Sequence, residues 1–433
     1  MKFILAILFF PAIIFGQKNS STNLAKYMQA QVDVNHFSGT VLVTKNGSVL
    51  LKKAYGFADC EWNIKNTIDT KFQLASVTKQ FTAAAILLLV ERGKLSLNDH
   101  LSKFFPDYPK ADSVTIHMLL SHSSGLALGF KEIALSTISV DSAYSEIKKI
   151  PYEFSPGTKS AYSNIGYYLL GKIIEKVSGE KYAVFLSENI FEKVGMKNTG
   201  VSNTDSIISK KAQIYCRTEN GFVHNPYINW EVNRGHDGIY STVEDLALWD
   251  QALYGTSILS EDMKKRMFTS YNDQDWGYGF AINPFYNHGH QLIAHDGGFF
   301  GTMTSLNRFT DDQLFVTVLS NNESPSYIIA YGLSAIAFQK EVEIPYKHVQ
   351  TKADTSLYDN YAGKYGEIEI VKIDGKLYFN SPEKELLPES KTKFFRADNP
   401  DRTIEFIQDK SGEYNSIILT KGGVKEVIMK NHP

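Results

Sequence analysis

Neither sign of charge dominates this chain of 433 residues. It carries 45 basic and 47 acidic side chains, a formal net charge of −2, and no run of like charges long enough to form an arm that binds a polyanion. Nucleic acid is therefore excluded as an expected partner. Hydrophobic residues at 43% and charged residues at 21% are the balance of a compact, soluble globular protein.

The chain is also poor in cysteine, with Cys60 and Cys216 as the two that it contains. An oxidising compartment would permit a bond between them, but the sequence does not bring their Cα atoms within bonding range, so two free thiols are expected. No cysteine follows the apolar run at the start of the chain, which argues against a lipid attached there.

That apolar run is too short to cross a membrane. Residues 3–15 supply about 13 positions interrupted by Pro11, whereas a spanning helix needs roughly 20 apolar residues. With Lys2 before it and the small residue Gly16 after it, the run is typical of a secretory signal, residues 1–16, cleaved near Gln17. We expect an exported protein, periplasmic or secreted, with no stable membrane span after cleavage. A membrane anchor is the weaker alternative.

The chain is longer than one hydrophobic core usually serves, which favours two domains. Strand-like runs 39–45 and 48–53 flank Asn46-Gly47 and predict a hairpin. The middle is mainly helical, with Ser241-Thr-Val-Glu244 predicted as a capping box, and strands return near residue 291. One sheet with edges from distant segments is therefore predicted. Predicted helices cover 166–177 and 182–191, and predicted strands cover 291–295, 302–309 and 314–319.

From residue 349 onward, the pattern changes to short alternating runs with an Asp374-Gly375 turn. This pattern predicts a small antiparallel β domain. Its predicted strands lie within 367–373, 376–379, 404–407, 416–420 and 424–429.

Ser76-Val-Thr-Lys79 places a hydroxyl and an amine three residues apart, so on a helix both share one face. That is the geometry of a serine nucleophile activated by a lysine. Alone the pattern is weak, and it also begins at four other serines: Ser145, Ser178, Ser381 and Ser390. A purely structural interpretation is that Ser76 caps the helix and Lys79 is exposed to solvent. The apolar helix that follows favours the catalytic interpretation, because burying an unpaired ammonium is costly.

Two further motifs stand at loop and strand ends. Tyr162-Ser-Asn164 leads into a predicted helix, and its bland interpretation is a turn with a packed aromatic. His295-Asp-Gly297-Gly298 follows a strand-like run. It is either a simple turn or a glycine-lined strand that a ligand can approach.

The order and context of these motifs resemble the β-lactamase-related serine hydrolases. That family includes class C β-lactamases, penicillin-binding proteins, D-peptidases, D-aminopeptidases and esterases. The resemblance covers roughly residues 35–340, and the segment starting Tyr361-Ala-Gly-Lys-Tyr365 resembles the lipocalin-like barrel of some members. The motifs that carry it are Phe72-Gln-Leu-Ala-Ser-Val-Thr-Lys79, Thr115-Ile-His-Met-Leu-Leu-Ser-His-Ser-Ser-Gly-Leu126, Pro156-Gly157 before Tyr162-Ser-Asn164, Ile190-Phe-Glu-Lys-Val-Gly-Met196, Gly238-Ile-Tyr-Ser-Thr242 and His295-Asp-Gly297.

The resemblance implies an α+β fold of the β-lactamase/transpeptidase type. An antiparallel sheet flanked by helices, plus an all-helical subdomain, would form a catalytic domain at 17–345. A small antiparallel β-barrel would follow at 349–433. This agrees with the strand, helix, strand order of the chain.

The resemblance also implies that Ser76 attacks the substrate and forms an acyl-enzyme, with Lys79 and Tyr162 sharing its proton. Lysine has an ordinary pKa of about 10.4, so Lys79 acts as a base near neutral pH only if its pKa is lowered by roughly three units. Either Lys79 or Tyr162 can be the base, and the sequence leaves both open.

The remaining site residues that the resemblance implies bind the substrate. Backbone N–H groups of Ser76 and Gly298 would hold the oxyanion, next to His295 and Gly297. Asn164 would hold the amide or carbonyl on the acyl side.

The chain departs from the family at one motif. The β-lactamases and D-carboxypeptidases of the family carry Lys-Thr-Gly or a close relative where this sequence has His295-Asp296-Gly297. A neutral imidazole does not attract a carboxylate, and Asp296 would repel one if it faced the cleft, although it could instead point away into a polar contact. These departures favour hydrolysis of an ester or amide, including D-amino-acid-containing peptides, over efficient β-lactam hydrolysis. The alternative is a protein that binds or senses peptidoglycan fragments or β-lactams with little turnover.

The expected partner is a small ester, amide or short peptide, and the oligomeric state is left open. No cofactor or metal is expected, because no carboxylate or cysteine pattern supports a site at His288, His290 and His295. His117 and His122 are predicted to serve helix packing and loop hydrogen bonds. The β domain has two candidate roles, a ligand of its own or the assembly of subunits.

Overall fold

The computed structural model describes residues 12–431. The predicted signal, residues 1–16, lies mostly outside them, and its cleavage and the export of the chain stay predictions. Within residues 12–431, no helix combines the length and the apolar character needed to cross a membrane. The chain divides into two compact units, residues 37–330 and residues 12–36 together with 331–431.

The secondary structure elements are named in chain order. The helices are α1 (Ala12–Asn35), α2 (Thr78–Glu91), α3 (Ile116–Leu120), α4 (Lys131–Ala134), α5 (Val140–Ile147), α6 (Asn164–Ser178), α7 (Tyr182–Leu186), α8 (Glu192–Val194), α9 (Val243–Ala252), α10 (Glu261–Met267), α11 (Ser326–Ala337) and α12 (Tyr358–Tyr361). The strands are β1 (Gly39–Lys45), β2 (Ser48–Tyr55), β3 (Phe57–Asp59), β4 (Ile64–Lys65), β5 (Phe72–Gln73), β6 (Gly200–Val201), β7 (Tyr215–Thr218), β8 (Gly221–His224), β9 (Ile239–Ser241), β10 (Ala281–Ile282), β11 (Leu292–Phe299), β12 (Thr302–Phe309), β13 (Leu314–Ser320), β14 (Gly363–Tyr365), β15 (Ile368–Ile373), β16 (Lys376–Phe379), β17 (Glu385–Pro388), β18 (Lys393–Arg396), β19 (Arg402–Gln408), β20 (Tyr414–Lys421) and β21 (Val424–Met429).

The unit of residues 37–330 is built on a six-stranded antiparallel sheet in the order β10-β11-β12-β13-β1-β2. The hairpin β1–β2 turns at Asn46-Gly47, where both residues have positive φ, as the Asn-Gly signal predicts. Strand β1 pairs with β13 from Gly39↔Ser320 to Lys45↔Leu314. One sheet with edges from distant segments is therefore confirmed.

Helix α2 runs through the core of this unit. All of residues 78–89 are buried, in agreement with the apolar helix that the sequence predicts after Ser76. The ring of Phe81 packs 4.7 Å from Trp249 and 5.6 Å from Phe191. A 3-10 turn, Ala75–Val77, precedes the helix, so Ser76 lies at its start.

Helices α3 to α8 form the helical segment between α2 and β6. The predicted helix 166–177 is α6, and the predicted helix 182–191 is α7 followed by a π-turn at Ser187–Phe191. The predicted capping box was wrong by one residue. Ser241 pairs with Phe72 as the last residue of β9, so the chain turns one position later and Thr242 caps α9 by accepting a hydrogen bond from the N–H of Asp245.

In the other unit, strands β14 to β21 pair antiparallel in chain order. An antiparallel bridge between Tyr365 and Lys430 joins the first strand to the residue after the last, which nearly closes the expected barrel. Side chains fill its centre, where the rings of Tyr361 and Phe406 stack 4.1 Å apart. Helix α1 belongs to the same unit, with Tyr27 donating to the carbonyl of Gly422 at 3.1 Å.

Candidate active site

The turn that carries Ser76 has a strained backbone. Ala75 has a φ of +48°, a conformation that residues with a Cβ rarely adopt. Hydrogen bonds to Leu74 fix this turn from two strands. Its N–H donates to the carbonyl of Ile239 at 2.8 Å, and its carbonyl accepts from Oγ1 of Thr304 at 2.7 Å. The position of Ser76 is therefore set by β9 and β12 together.

Lys79 lies one helical turn after Ser76 and has no exposed surface. Its Nζ donates three hydrogen bonds, to Oγ of Ser76 at 3.0 Å, to Oδ1 of Asn164 at 2.8 Å and to the carbonyl of His236 at 3.0 Å. Burial lowers the lysine pKa to about 7, and the nearby Asp237 opposes this shift. A substantial fraction of Lys79 is therefore a neutral amine near neutral pH.

Tyr162 covers the lysine, whose Nζ lies 4.8 Å from the centre of the tyrosine ring. Its hydroxyl is buried beside Ser76. Burial raises the pKa of Tyr162 well above its ordinary value, and Ser76 only partly opposes that shift. The phenolate is therefore scarce at neutral pH.

The imidazole of His122 packs against the ring of Tyr162. The two rings lie 4.5 Å apart, and the imidazole also packs 5.0 Å from Trp276. Nδ1 of His122 accepts a hydrogen bond from the N–H of Ser163 at 3.1 Å. Burial lowers the pKa of His122 well below its ordinary value. These contacts are the loop hydrogen bonding and packing that the sequence predicts for this histidine.

Asn164 begins helix α6, which is capped by Oγ of Ser163 accepting from the N–H of Gly166 at 3.1 Å. The N–H of Asn164 donates to the carbonyl of Leu128 at 2.7 Å. Its side-chain oxygen is already bonded to Lys79. The amide nitrogen therefore remains to meet a ligand.

Strand β11 carries His295 and Gly297 toward the turn of Ser76. A Cβ added to Gly297 would lie 2.3 Å from the carbonyl oxygen of Leu74 and 2.3 Å from Oγ1 of Thr304. Only glycine permits the strand to approach the turn this closely. Gly298, one residue further along, is exposed and lines a cavity.

His295 is a buried, neutral imidazole. Its Nδ1 lies 2.6 Å from the carbonyl of Asp296, and because a carbonyl only accepts, Nδ1 carries the hydrogen and Nε2 is left as an acceptor. Burial, reinforced by the charge of Lys79, lowers the pKa of His295 to about 3.

Asp296 points away from the cleft. Its carboxylate accepts hydrogen bonds from Oγ of Ser305 at 2.6 Å and from the hydroxyl of Tyr286 at 3.1 Å. Neighbouring side chains of a strand face opposite sides of the sheet, so Asp296 cannot share the face of His295 and Gly297. The polar-contact alternative is therefore correct, and repulsion of an anionic substrate by Asp296 in the cleft is excluded.

Sequence reasoning missed His236 and Asp237. Both side chains are almost completely buried, and their segment is held against α2 and α6. The carbonyl of Gly235 accepts from Oγ1 of Thr82 at 2.6 Å, and a Cβ on Gly171 would lie 3.0 Å from the Cα of Gly235. The sequence signal that could have found them is their position between Gly235 and Gly238, directly before the Gly238-Ile-Tyr-Ser-Thr242 motif.

A cavity of about 590 Å³ opens beside Asn164 and Gly298. Much of its wall is apolar, and charged side chains stand among the apolar ones. The lining residues used below are Leu128, Phe130, Lys131, Glu132, Glu153, His236, Phe299 and Phe300.

The three histidines weighed as a metal site have separate contacts. Nδ1 of His290 lies 2.8 Å from a carboxylate oxygen of Asp312, and the ring of His288 stacks on Phe309. Within residues 12–431, no group of three potential metal ligands converges.

Comparison with known proteins agrees with this geometry. A family model described as Beta-lactamase matches residues 24–335. Penicillin-binding protein 4* of Bacillus subtilis (strain 168) is 28% identical over 95% of this chain and 99% of its own length. The octameric penicillin-binding protein homologue from Pyrococcus abyssi superposes with a TM-score of 0.69 and 27% identity, covering 94% of this chain and 99% of that one. The D-amino acid amidase from Ochrobactrum anthropi SV3 shares the fold, with a TM-score of 0.63 and 22% identity over 74% and 96% of the two chains. The family model covers most of the chain, and the α+β fold with its C-terminal barrel agrees with it. This protein therefore belongs to the β-lactamase family of serine hydrolases and penicillin-binding-protein homologues.

Proposed function

We propose that this protein hydrolyses esters or amides through an acyl-enzyme formed on Ser76. The observation that carries the proposal is the 3.0 Å hydrogen bond between Nζ of Lys79 and Oγ of Ser76, made by a lysine without solvent contact. A buried amine with a pKa near 7 can accept a proton from a serine as the hydroxyl attacks.

Between the two candidate bases, the pKa shifts favour Lys79. Burial raises the pKa of Tyr162 and lowers that of Lys79, so the neutral amine is abundant and the phenolate is scarce. Oγ of Ser76 would attack the substrate carbonyl while its proton passes to Nζ. Collapse of the tetrahedral intermediate would break the bond to the leaving group, which takes a proton from Lys79 or from the hydroxyl of Tyr162. Water would then release the acyl group from Ser76.

The backbone N–H groups of Ser76 and Gly298 are the proposed oxyanion donors. Gly298 lies at the cavity wall, and the close approach of Gly297 to Leu74 holds β11 against the turn of Ser76. Donors fixed in this way stabilise the developing charge without reorganising. The amide nitrogen of Asn164 would hold the acyl-side carbonyl.

The cavity would receive the acyl side chain of the substrate. Leu128, Phe130 and Phe299 give it an apolar wall. The lining also contains two carboxylates, those of Glu132 and Glu153, and one ammonium, that of Lys131, whose Nζ lies 4.8 Å from the centre of the Phe300 ring. The excess of one carboxylate favours apolar acyl groups that carry an amine, such as aminoacyl esters and amides. One structural neighbour is a D-amino acid amidase, which is in line with this choice.

The first experiment measures hydrolysis of p-nitrophenyl acetate by purified protein. Ser76→Ala should abolish it, whereas Ser145→Ala should not, because Ser145 begins the same Ser-x-x-Lys pattern on the exposed face of helix α5. An unaffected rate in Ser76→Ala would refute the proposal. Intact mass measured after addition of substrate addresses the alternative, since a persistent adduct without turnover would favour a sensor.

The second experiment compares the p-nitroanilides of D-phenylalanine and N-acetyl-D-phenylalanine. The free-amine substrate should have the higher kcat/KM, and Glu153→Gln should reduce that preference several-fold. Equal values for both substrates would leave the hydrolase proposal standing and remove the amine preference.

A further inference from the structure

We propose that Asp237 is a positioning residue that controls the protonation of Lys79, so that it sets the pH at which Ser76 becomes reactive. The inference rests on the proposed role of Lys79 as the base. It adds a carboxylate that no sequence motif of the site contains.

The geometry begins at the residue before Asp237. The carbonyl of His236 accepts a hydrogen bond from Nζ of Lys79 at 3.0 Å, which fixes the segment to the lysine. The N–H of Asp237 donates to the carbonyl of Asn233 at 3.0 Å, which closes a tight turn. Asp237 therefore directly follows a residue whose backbone holds the ammonium.

The carboxylate of Asp237 is poorly compensated by its own surroundings. Its side chain is 4% exposed, and Oδ2 lies 3.4 Å from Nδ1 of His236. Oδ1 makes no hydrogen bond within residues 12–431. Burial lowers the pKa of His236, so that imidazole is a weak counter-ion. A buried carboxylate needs a cation nearby, and the cation that the geometry offers is the ammonium of Lys79, bound at the adjacent carbonyl of His236.

The other groups around Lys79 do not replace this charge. Ser76 and Asn164 are uncharged, and the histidines are kept neutral by lowered pKa values. The tyrosine pKa values are raised, so those phenols are uncharged too. The titratable groups that face Lys79 are His122, Tyr162, Tyr167, His236, Asp237 and His295.

Two influences on Lys79 therefore oppose each other. Burial disfavours the ammonium, whereas Asp237 favours it. A base is most effective when its pKa lies near the working pH, and burial alone would make the lysine too weakly basic. Asp237 holds it in the useful range.

The decisive experiment is the pH dependence of kcat/KM for p-nitrophenyl acetate. In the wild type the activity should rise through a pKa near 7. Asp237→Asn should move this rise to lower pH by about one unit, because the stabilising charge is gone. Asp237→Glu, which keeps the charge, should leave the rise close to its wild-type pH. Asp245→Asn is the matched control, since Asp245 is equally buried but bonds to Thr199 instead. An unchanged profile in Asp237→Asn would overturn the proposal.

A stability cycle keeps the test independent of turnover. At pH 6, Asp237→Asn should destabilise the protein strongly when Lys79 is present and weakly in a Lys79→Met background, as measured by urea unfolding. If Asp237→Asn folds only together with Lys79→Met, the coupling is supported. Equal losses in both backgrounds, or failure of both to fold, would assign Asp237 a merely structural role. If the wild type shows no esterase activity but Asp237→Asn is more destabilising when Lys79 is present, the proposed function is refuted and the coupling between Asp237 and Lys79 is supported.

Discussion

Nζ of Lys79 donates a hydrogen bond to Oγ of Ser76 at 3.0 Å, and the lysine side chain is not exposed to solvent. Burial that makes the amine a base also makes the folded state sensitive to pH. Folding moves the lysine pKa from an ordinary 10.4 to about 7, so the unfolded chain binds the proton more tightly.

The first prediction follows from that sign. Relative to Lys79→Met, the wild type should gain stability as the pH rises from 7 to 10, by as much as about 4 kcal/mol at 1.36 kcal/mol per unit. Urea unfolding of both proteins across this range measures the gain. Taking the difference between them cancels groups that titrate in both, and parallel pH curves would contradict a lowered lysine pKa.

The second prediction concerns His295, which stays neutral above a pKa of about 3. The ratio of kcat/KM for an anionic chromogenic cephalosporin to that for a neutral ester should stay constant between pH 5 and 8. His290→Gln serves as a control, because His290 pairs with Asp312 outside the cleft. A ratio that rises toward acid pH would show that a cationic imidazole attracts the carboxylate.

The third prediction separates two neighbouring glycines. In Gly297→Ala the new methyl would overlap the backbone oxygen of Leu74, so β11 must move away from Ser76. We expect kcat/KM to fall about 10²- to 10³-fold, as when an oxyanion donor is lost. In Gly298→Ala the methyl would meet Sδ of Met303 at 3.1 Å, and that flexible side chain can adjust. A larger loss in Gly298→Ala than in Gly297→Ala would refute this explanation.

The fourth prediction concerns the buried ion pair between β12 and α9. Nε of Arg308 donates to Oδ1 of Asp250 at 2.6 Å, and both side chains are nearly inaccessible. Asp250→Ala leaves an unpaired guanidinium and should lower the free energy of unfolding by about 3–5 kcal/mol, much of which Arg308→Met should recover. Asp262→Ala breaks an exposed ion pair with Arg266 and should change it by less than about 1 kcal/mol. Additive losses in the double variant would contradict the pairing.

Local pattern was sufficient for much of the fold. The Asn46-Gly47 hairpin and the apolar helix α2 follow from turn chemistry and hydrophobic periodicity, and both are present. The start of α9 was displaced because pairing of Ser241 in β9 overrides its preference for a cap. Period-two alternation alone already separates Asp296 from His295, but which of them faces Ser76 depends on the position of the whole strand.

The site was predictable only where sequence neighbours share a helix face. Ser76 and Lys79 meet because three residues span one helical turn. Asn164 reaches Lys79 from 85 positions away. The resemblance to the family placed Asn164 in the site as a substrate-binding residue, but it did not predict this contact with Lys79. His236 lies 157 positions from Lys79, and its segment is placed by the close contact of Gly171 and Gly235. No local pattern encodes that approach.

The barrel unit joins the two ends of the chain. Tyr27 bonds to Gly422, 395 positions later, and Asn35 bonds to Asp401, 366 positions later. During synthesis, a chain elongating at about 5–20 residues per second leaves helix α1 without these partners until the last strands emerge. The strands of the six-stranded sheet all lie within residues 39–320, so every strand of that sheet has been synthesised before the last barrel strands. Chaperone binding during synthesis should therefore concentrate on α1 until the barrel strands have emerged.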